Sequence, residues 1–321
     1  MIWLAWRLQR AQTWTLLGLA VVVVAAALVL RGMTLSQVDP SCLVGNINYS
    51  TSCTREWGSL GAVMTYFQLL LVAMPFAIGL FCGAPLFARE LEQGTHVLAF
   101  TQSVSRTRWM LVKAAVAVAP ALLSVLAMQV ALSYWFRAAG SFGPYRYGPW
   151  SEFNFPTSHL APAAFTLAGL AVGMLIGAIA KKALLAMVLT IGLFLAVWLA
   201  ALGTRELYVA TERVTYDVHS GGDYQEQAGP GAEYVDSGYL RADGSTVTHL
   251  ESTTLTNGCG GPDATRDSVN ACYNDRGLVA GYYDYLPAAK AETVHLIEAA
   301  LLLALAAACV AGTARTLRRV A

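Results

Sequence analysis

Charged residues are scarce in this chain of 321 residues, and each kind of scarcity excludes a class of function. Asp, Glu, Lys and Arg make up only 13% of the chain, whereas about 25% is typical of soluble domains. Lysine occurs at only four positions and never follows a glycine-rich turn, so the chain lacks the phosphate-binding loop GxxxxGK[ST] of many ATPases. The net charge of +1 gives no reason to expect a nucleic-acid partner.

Catalytic and metal-binding motifs are also missing. The sequence contains neither HExxH nor G-x-S-x-G. Its five histidines are scattered over different segments, and its cysteines lack the CxxC spacing of zinc sites. The sequence therefore predicts no catalytic residue, no metal site and no cofactor in this chain. A membrane enzyme stays open as an alternative, but no active site can be assembled for it.

Long apolar runs, by contrast, are abundant. Hydrophobic residues make up 56% of the chain, and the mean hydropathy is +0.51. A bilayer core requires about 20 apolar residues per helix. These runs predict an all-α integral membrane protein with six transmembrane helices, over residues 13–30, 61–87, 110–135, 160–180, 183–202 and 293–314.

The remaining segments suggest a domain organisation. Residues 1–12 carry Trp3, Trp6, Arg7 and Arg10 at helical spacing, which favours an interfacial helix, although a simple aromatic and basic start to the first span fits equally well. Residues 203–292 hold 14 acidic residues against six basic ones. Alternating residues at 207–218 and 246–255 predict strands there, so this segment is interpreted as a small extracellular α+β or β domain. Residues 315–321 form a tail.

The distribution of basic residues predicts the orientation. Eleven Lys and Arg residues fall on the side of the two termini, and four fall in the two short loops on the other side. Because cytoplasmic segments carry the excess of Lys and Arg, we expect both termini of this multi-pass membrane protein in the cytoplasm.

The six cysteines fit this topology. Cys42 and Cys53 share the first predicted outer loop, and Cys259 and Cys272 share the last. Their spacings of 11 and 13 residues would close small loops, and outer segments meet an oxidising compartment. We therefore predict the disulfides Cys42–Cys53 and Cys259–Cys272.

Polar side chains inside apolar spans are candidates for a substrate path. Such groups are costly in lipid and prefer the interior of a bundle. The alternative is that His295 simply reaches the outer interface, or that the polar groups form an internal seam. The candidates are Tyr66, Gln68, Gln129, His295 and Glu298.

One polar segment, residues 88–109, interrupts the apolar chain between the second and third spans. Arg89–Thr95 reads as a charged helical turn that ends at Gly94. A helix then restarts over Ser103, Ser105, Arg106, Arg108 and Trp109. An ordinary solvated loop would fit the charges as well. The residues that carry a family resemblance are Arg89, Glu90, Gly94, Thr95, Arg106 and Trp109. With these residues at the matching positions, the segment resembles the coupling-helix region of ABC-2 type transporter permeases. The six spans and the insert before the last span are also similar to those of these type V exporters.

The resemblance implies partners and a mechanism. The run Tyr283–Pro287 followed by Glu298 is similar to family members from high-GC actinobacteria. A separate nucleotide-binding ATPase subunit, which holds ATP and Mg²⁺, would dock on the coupling segment of the permease. A second permease chain, identical or a sister, would complete the pathway. The implied contacts to the ATPase are Arg89, Glu90, Glu92, Gly94, Thr95, Arg106 and Arg108.

The implied function is the export of an amphipathic small molecule such as a drug or antibiotic, a lipid or a peptide. The alternative from another class is a membrane receptor or sensor that binds a ligand with its acidic extracellular domain. A neighbouring gene for an ATPase would favour transport, and one for a kinase would favour sensing.

Overall fold

A computed structural model describes residues 2–37, 51–95, 105–140, 143–203, 208–217, 228–229, 231–259 and 265–319. The chain divides into two compact units. The first contains residues 1–146, 152–203 and 295–321, and the second contains residues 147–151 and 204–294. Each unit is described by itself.

Within the described residues, six helical segments are long and apolar enough to cross a membrane, which confirms the predicted architecture. The second crossing combines three elements: α2, a π-helical turn at Gly79–Gly83, and the short helix α3. The other crossings are single helices. The bounds are α1 Ile2–Gln37, α2 Thr51–Ile78, α3 Pro85–Glu92, α4 Arg106–Ala138, α6 Ala161–Ala180, α7 Ala183–Gly203 and α10 Ala291–Arg319, with the short helix α5 at Asn154–Thr157.

The first helix differs from the expectation. α1 runs without a break from Ile2 to Gln37, so the described residues of the predicted interfacial segment are continuous with the first span. No proline lies within it, and Gln12 and Thr13 at the expected junction do not stop a helix. Trp3 is exposed, with the Arg7 guanidinium carbon 5.1 Å from its ring centroid. The aromatic and basic start is therefore the beginning of the first span.

The irregular stretch of the second crossing packs closely on α6. A β-carbon added to Gly173 would lie 2.5 Å from the carbonyl oxygen of Gly79 and 2.7 Å from the amide nitrogen of Ala84. Only a residue without a side chain allows such an approach, as in small-residue contacts between membrane helices. The side chain of Gln12 donates a 2.7 Å hydrogen bond to the carbonyl of Phe81 within the π-helical turn. Pro75 of α2 lies about one helical turn before this π-helical turn.

The membrane helices bury their own hydrophobic core. Trp135 of α4 is fully buried, packs edge-on against Phe67 of α2, and donates a 3.0 Å hydrogen bond to Thr34 of α1. A separate cluster packs Phe165 of α6 against Phe194 and Trp198 of α7. These contacts join the third span to the first and second, and the fourth span to the fifth.

The second unit is an α+β domain, as expected for the insert before the last span. Its antiparallel sheet has the order β1-β4-β2-β3. The bridge Cys259–Cys272 is present, whereas the predicted Cys42–Cys53 bridge lies outside the side chains that the structure describes. The bounds are β1 Glu212–Asp217, β2 Glu233–Arg241, β3 Thr246–Thr248, α8 His249–Leu255, α9 Arg266–Asp275 and β4 Leu278–Leu286.

One predicted strand is mostly helix. Only the first three residues of 246–255 are extended, and α8 follows. The hydroxyl of Thr248 accepts a hydrogen bond from the amide of Glu251, three residues on. Thr248-x-x-Glu251 is thus an N-cap signature, and it outweighs the strand-like alternation.

Tyrosines crowd one part of this sheet. The rings of Tyr216 and Tyr283 stack with centroids 4.9 Å apart, and Tyr239 lies 5.5 Å from Tyr273 of α9. Burial raises the pKa of the Tyr239 hydroxyl to about 12, and its hydrogen bond with Tyr273 adds to the increase. Gly281 has no room for a side chain, since the Tyr216 ring covers it.

Candidate functional site

The predicted coupling segment begins as an amphipathic helix. In α3, the apolar side chains Leu86, Phe87 and Leu91 are buried, and Arg89 is exposed. Gly94 follows with a φ of +71°, a left-handed conformation that suits glycine and ends the helix. Residues 96–104 lie outside the described residues.

The restart of the chain after this segment is also as predicted. The hydroxyl of Ser105 accepts a 3.3 Å hydrogen bond from the amide of Arg108 and caps α4. The Nη1 of Arg106 donates a 2.8 Å hydrogen bond to the carbonyl of Arg318, and Arg318 reaches back to the hydroxyl of Thr107. The end of α10 is thereby fixed to the start of α4.

Lys113 of α4 is the centre of a buried cluster that we call the Lys113 cluster: Lys113, Glu90, Leu86, Phe87 and Trp109. The Lys113 side chain is 5% exposed, and its Nζ lies 2.5 Å from Oε1 of Glu90. The Nζ also donates a 3.0 Å hydrogen bond to the carbonyl of Leu86. It lies 4.9 Å from the ring centroid of Trp109 and 5.5 Å from that of Phe87, within cation–π range. The cluster therefore joins α3 to α4 through one buried ion pair.

Sequence reasoning missed the role of Lys113, which it counted only among the basic flanks. The available signal was a lysine seven residues into an apolar helix, because such a charge requires a partner. The nearest carboxylates in the chain were Glu90 and Glu92, but the sequence treated both as contacts to another protein.

Glu92 is also engaged within the chain. Its Oε2 accepts a 2.9 Å hydrogen bond from the amide of Ala183, the first residue of α7. A carboxylate at this position satisfies a free helix N–H group and interacts favourably with the helix dipole. The Thr95 hydroxyl lies 3.5 Å from the carbonyl of Glu90.

The predicted coupling residues thus fall into two groups. Glu90, Glu92 and Arg106 bind other parts of the first unit. Arg89 and Arg108 are exposed, with Gly94 and Thr95 beside them. Two arginine side chains are therefore exposed, and internal polar contacts hold the helices that carry them in place.

The candidates for a substrate path gather elsewhere, around α5 and the residues that follow it. The buried Gln68 donates a 2.8 Å hydrogen bond to Oδ1 of Asn154, and Nδ2 of Asn154 donates to the carbonyl of Pro144. Gln129 donates 2.8 Å and 3.3 Å hydrogen bonds to the carbonyls of His159 and Thr157. Two spans thus bind the same short segment.

His295 of α10 joins the same region. Its ring stacks on Phe155 with centroids 3.8 Å apart and lies 4.7 Å from the ring of His159. We call residues 154–159, with the side chains bound to them, the polar seam. Sequence reasoning found Gln68, Gln129 and His295 but missed Asn154, because that residue lies between spans rather than within one.

The other two candidates are Glu298 and Tyr66. Glu298 is buried and lies three residues after His295 on α10. Tyr66 is 70% exposed, on the side of α2 away from Gln68, since residues two apart lie on different helix faces. Among the described residues, no group of three or more His, Cys, Asp or Glu side chains could hold a metal ion.

Comparison with known proteins gives one match. The model of a family described as ABC-2 membrane transporter related matches residues 17–205, which is more than half of the chain. The matched region contains the Lys113 cluster and most of the polar seam, and it ends before β1, the first strand of the second unit. No curated protein and no solved structure matches the chain.

Proposed function

Because the chain belongs to the ABC-2 membrane transporter related family, we propose that it is the membrane subunit of an exporter driven by a separate ATPase subunit. The cargo is an amphipathic small molecule, a lipid or a peptide. ATP and Mg²⁺ bind to the partner, and both termini of this chain face the cytoplasm. The family favours this function over the receptor alternative.

The observation that carries the proposal is the attachment of α3 to two other spans directly and to a third through α4. The Lys113 cluster links it to α4, Glu92 links it to α7, and Arg106 at the start of α4 is bonded to α10. The π-helical turn joins it to α2. A force applied to α3 would therefore reach most of the bundle, which is what a coupling helix has to achieve.

The docking surface in this proposal consists of Arg89, Gly94, Thr95 and Arg108. The two arginines are exposed, and a guanidinium binds carboxylates with two parallel hydrogen bonds. We therefore expect an acidic groove on the ATPase. Two permease chains, identical or related, form the complete pathway.

The polar seam forms part of the path at the opposite end of the spans. In the present conformation Gln68 and His295 are buried, so the seam is closed. Export requires Gln68 and Gln129 to exchange their bonds to residues 154–159 for contacts with cargo or water.

Co-purification tests the proposal. The full chain is co-expressed with candidate ATPase subunits from the same genome, and retention of the ATPase is measured after detergent extraction. The double variant Arg89→Glu, Arg108→Glu should reduce retention at least tenfold. Arg137→Glu is the matched control, since Arg137 is an exposed arginine at the other end of α4.

The outcomes are distinct. Retention of an ATPase by the wild type and by Arg137→Glu, but not by the double variant, supports docking at α3. Equal retention by all three would refute that docking surface. A wild-type chain that retains none of the candidate ATPases and performs no ATP-dependent transport with them in liposomes would count against the function itself.

A further inference from the structure

A groove of about 460 Å³ opens between the ends of α6 and α10. Its volume is within the range of roughly 300–1,000 Å³ that is common for ligand sites. We call it the basic groove. The residues that define it are Leu175, Ile179 and Lys181 on one side and Gly312, Arg315 and Arg319 on the other.

Local helix geometry creates the groove. Gly312, Arg315 and Arg319 follow one another at intervals of three and four residues, so they share one face of α10. A β-carbon on Gly312 would lie 3.0 Å from Leu175 of α6, so the two helices approach closely there and the longer side chains flank the opening. Lys181 ends α6 in a left-handed conformation, with a φ of +55°.

Three cations meet in the groove without a carboxylate. Lys181, Arg315 and Arg319 are exposed, and none forms an ion pair within the part of the chain that the structure describes. Arg318, by contrast, reaches the hydroxyl of Thr107 on α4. The two faces of α10 therefore differ: one is bonded to the bundle, and the other holds like charges that a bound anion would neutralise.

An apolar wall continues the groove toward the middle of the spans. Ile179 is 60% exposed, and Leu175 lies one turn before it on the same helix face. A helix rises about 1.5 Å per residue, so apolar contacts begin within a few ångströms of the charges. A soluble anion would use the cations alone, whereas a phospholipid also uses the wall.

We propose that the basic groove binds one anionic phospholipid. Its headgroup phosphate lies among Lys181, Arg315 and Arg319, and an acyl chain lies along Ile179 and Leu175. Basic pockets between membrane helices are known to hold such headgroups. This site is independent of the export function, because its residues take no part in the docking surface or the polar seam.

Native mass spectrometry of the purified full chain tests the inference. Protein is mixed with dioleoylphosphatidylglycerol or with zwitterionic dioleoylphosphatidylcholine, and bound lipids per chain are counted. The variant Arg315→Gln, Arg319→Gln should bind at least fivefold less phosphatidylglycerol. The control Arg10→Gln, Lys182→Gln removes the same charge from exposed positions outside the groove and should bind as the wild type does.

Further measurements separate the alternatives. Arg315→Lys, Arg319→Lys should retain binding, because the site requires charge. Without lipid, all variants should have similar unfolding temperatures, since the substituted side chains are exposed. Phosphatidylglycerol should raise the unfolding temperature of the wild type, the control and the Lys variant only.

Several results would overturn the inference. The first is that the wild type binds phosphatidylglycerol and phosphatidylcholine equally. The second is that the Gln variant binds as much phosphatidylglycerol as the wild type, or that the control or the Lys variant loses as much binding as the Gln variant should. The third is that millimolar inorganic phosphate displaces the lipid. If the Gln variant instead changed the fraction of dimer or the retention of the ATPase with lipid binding intact, the groove would be a protein interface and the lipid site would be refuted.

Discussion

The ammonium group of Lys113 lies 2.5 Å from a carboxylate oxygen of Glu90, and this contact joins the end of the second span to the third. The lysine side chain is 5% exposed and the glutamate side chain 18% exposed. From the sequence alone, Glu90 is expected to lie in an aqueous loop and to contact another protein. Its burial against Lys113 gives it an internal role, because a buried charge requires a partner.

Removal of one member of this pair should be strongly destabilising. Lys113→Met leaves the partly buried Glu90 carboxylate without its cation and should cost about 1–3 kcal/mol of stability. The double variant Lys113→Met, Glu90→Leu removes both charges, so we expect it to regain most of that loss. Thermal unfolding and chemical unfolding in detergent would give the coupling energy of the double-mutant cycle.

Arg108→Gln is the control for this cycle, because Arg108 is an exposed basic residue on the same helix. It should change stability by less than about 0.5 kcal/mol. If the single variant Lys113→Met were as stable as Arg108→Gln, the ion pair would not hold α3 to α4.

Glu92 should act as a helix cap for α7. Glu92→Ala removes the acceptor for the amide of Ala183, and a lost cap costs about 0.5–2 kcal/mol. Glu92→Gln keeps a carbonyl oxygen and should recover much of the effect. Hydrogen exchange measured over residues 183–187 would show faster exchange in Glu92→Ala; the same rate in all three proteins would contradict capping.

The contact between α6 and the π-helical turn should not tolerate a side chain at Gly173. A β-carbon there would lie 2.5 Å from a carbonyl oxygen of Gly79, so Gly173→Ala should destabilise by about 1–3 kcal/mol. Gly192→Ala in α7 is the matched control, since no atom lies within 4 Å of its added β-carbon. Unfolding temperatures and the yield of monodisperse protein would compare them. Equal behaviour would contradict the close packing.

Stability at high pH should report on Tyr239. Its pKa is raised to about 12 by burial and by the hydrogen bond with Tyr273, whereas an unfolded tyrosine has a pKa of about 10. The contribution is present below pH 10 and is lost as the pH rises to 12, because the unfolded chain releases its proton first. Tyr239→Phe should show a shallower decline of unfolding temperature over this window than the wild type. Tyr147→Phe, at an exposed position, should follow the wild type.

The spans and the helix ends could be predicted from the sequence because each depends on neighbouring residues in the chain. Six apolar runs, the helix stop at Gly94 and the helix start at Ser105 depend on residues that are close together in the chain. The Cys259–Cys272 bridge also closes a loop of 13 residues. For such features, composition and spacing carry the necessary information.

The internal polar contacts could not be predicted in the same way. Glu92 meets the amide of Ala183 across 91 positions, and Gln68 meets Asn154 across 86. Both pairs depend on how the helices pack. The sequence indicates that each of these polar side chains is costly to bury, but it does not identify the partner that each side chain binds.

Variants of the hydrogen bond between Gln68 and Asn154 should show whether the polar seam is a static contact or opens during transport. Both side chains are buried, so Gln68→Leu leaves Asn154 without one partner and should cost about 1–3 kcal/mol. The double variant Gln68→Leu, Asn154→Leu should be closer to the wild type. Unfolding measurements on the four proteins give the coupling energy.

Transport by the same four proteins supplies the second readout. If the seam opens during export, the apolar double variant keeps it closed, so ATP-dependent transport in liposomes should fall at least fivefold while stability recovers. Gln129 still bonds to residues 154–159 in that variant, which preserves the position of the segment. Transport that recovers together with stability would mean that the seam is a static contact, and the substrate path would have to lie elsewhere.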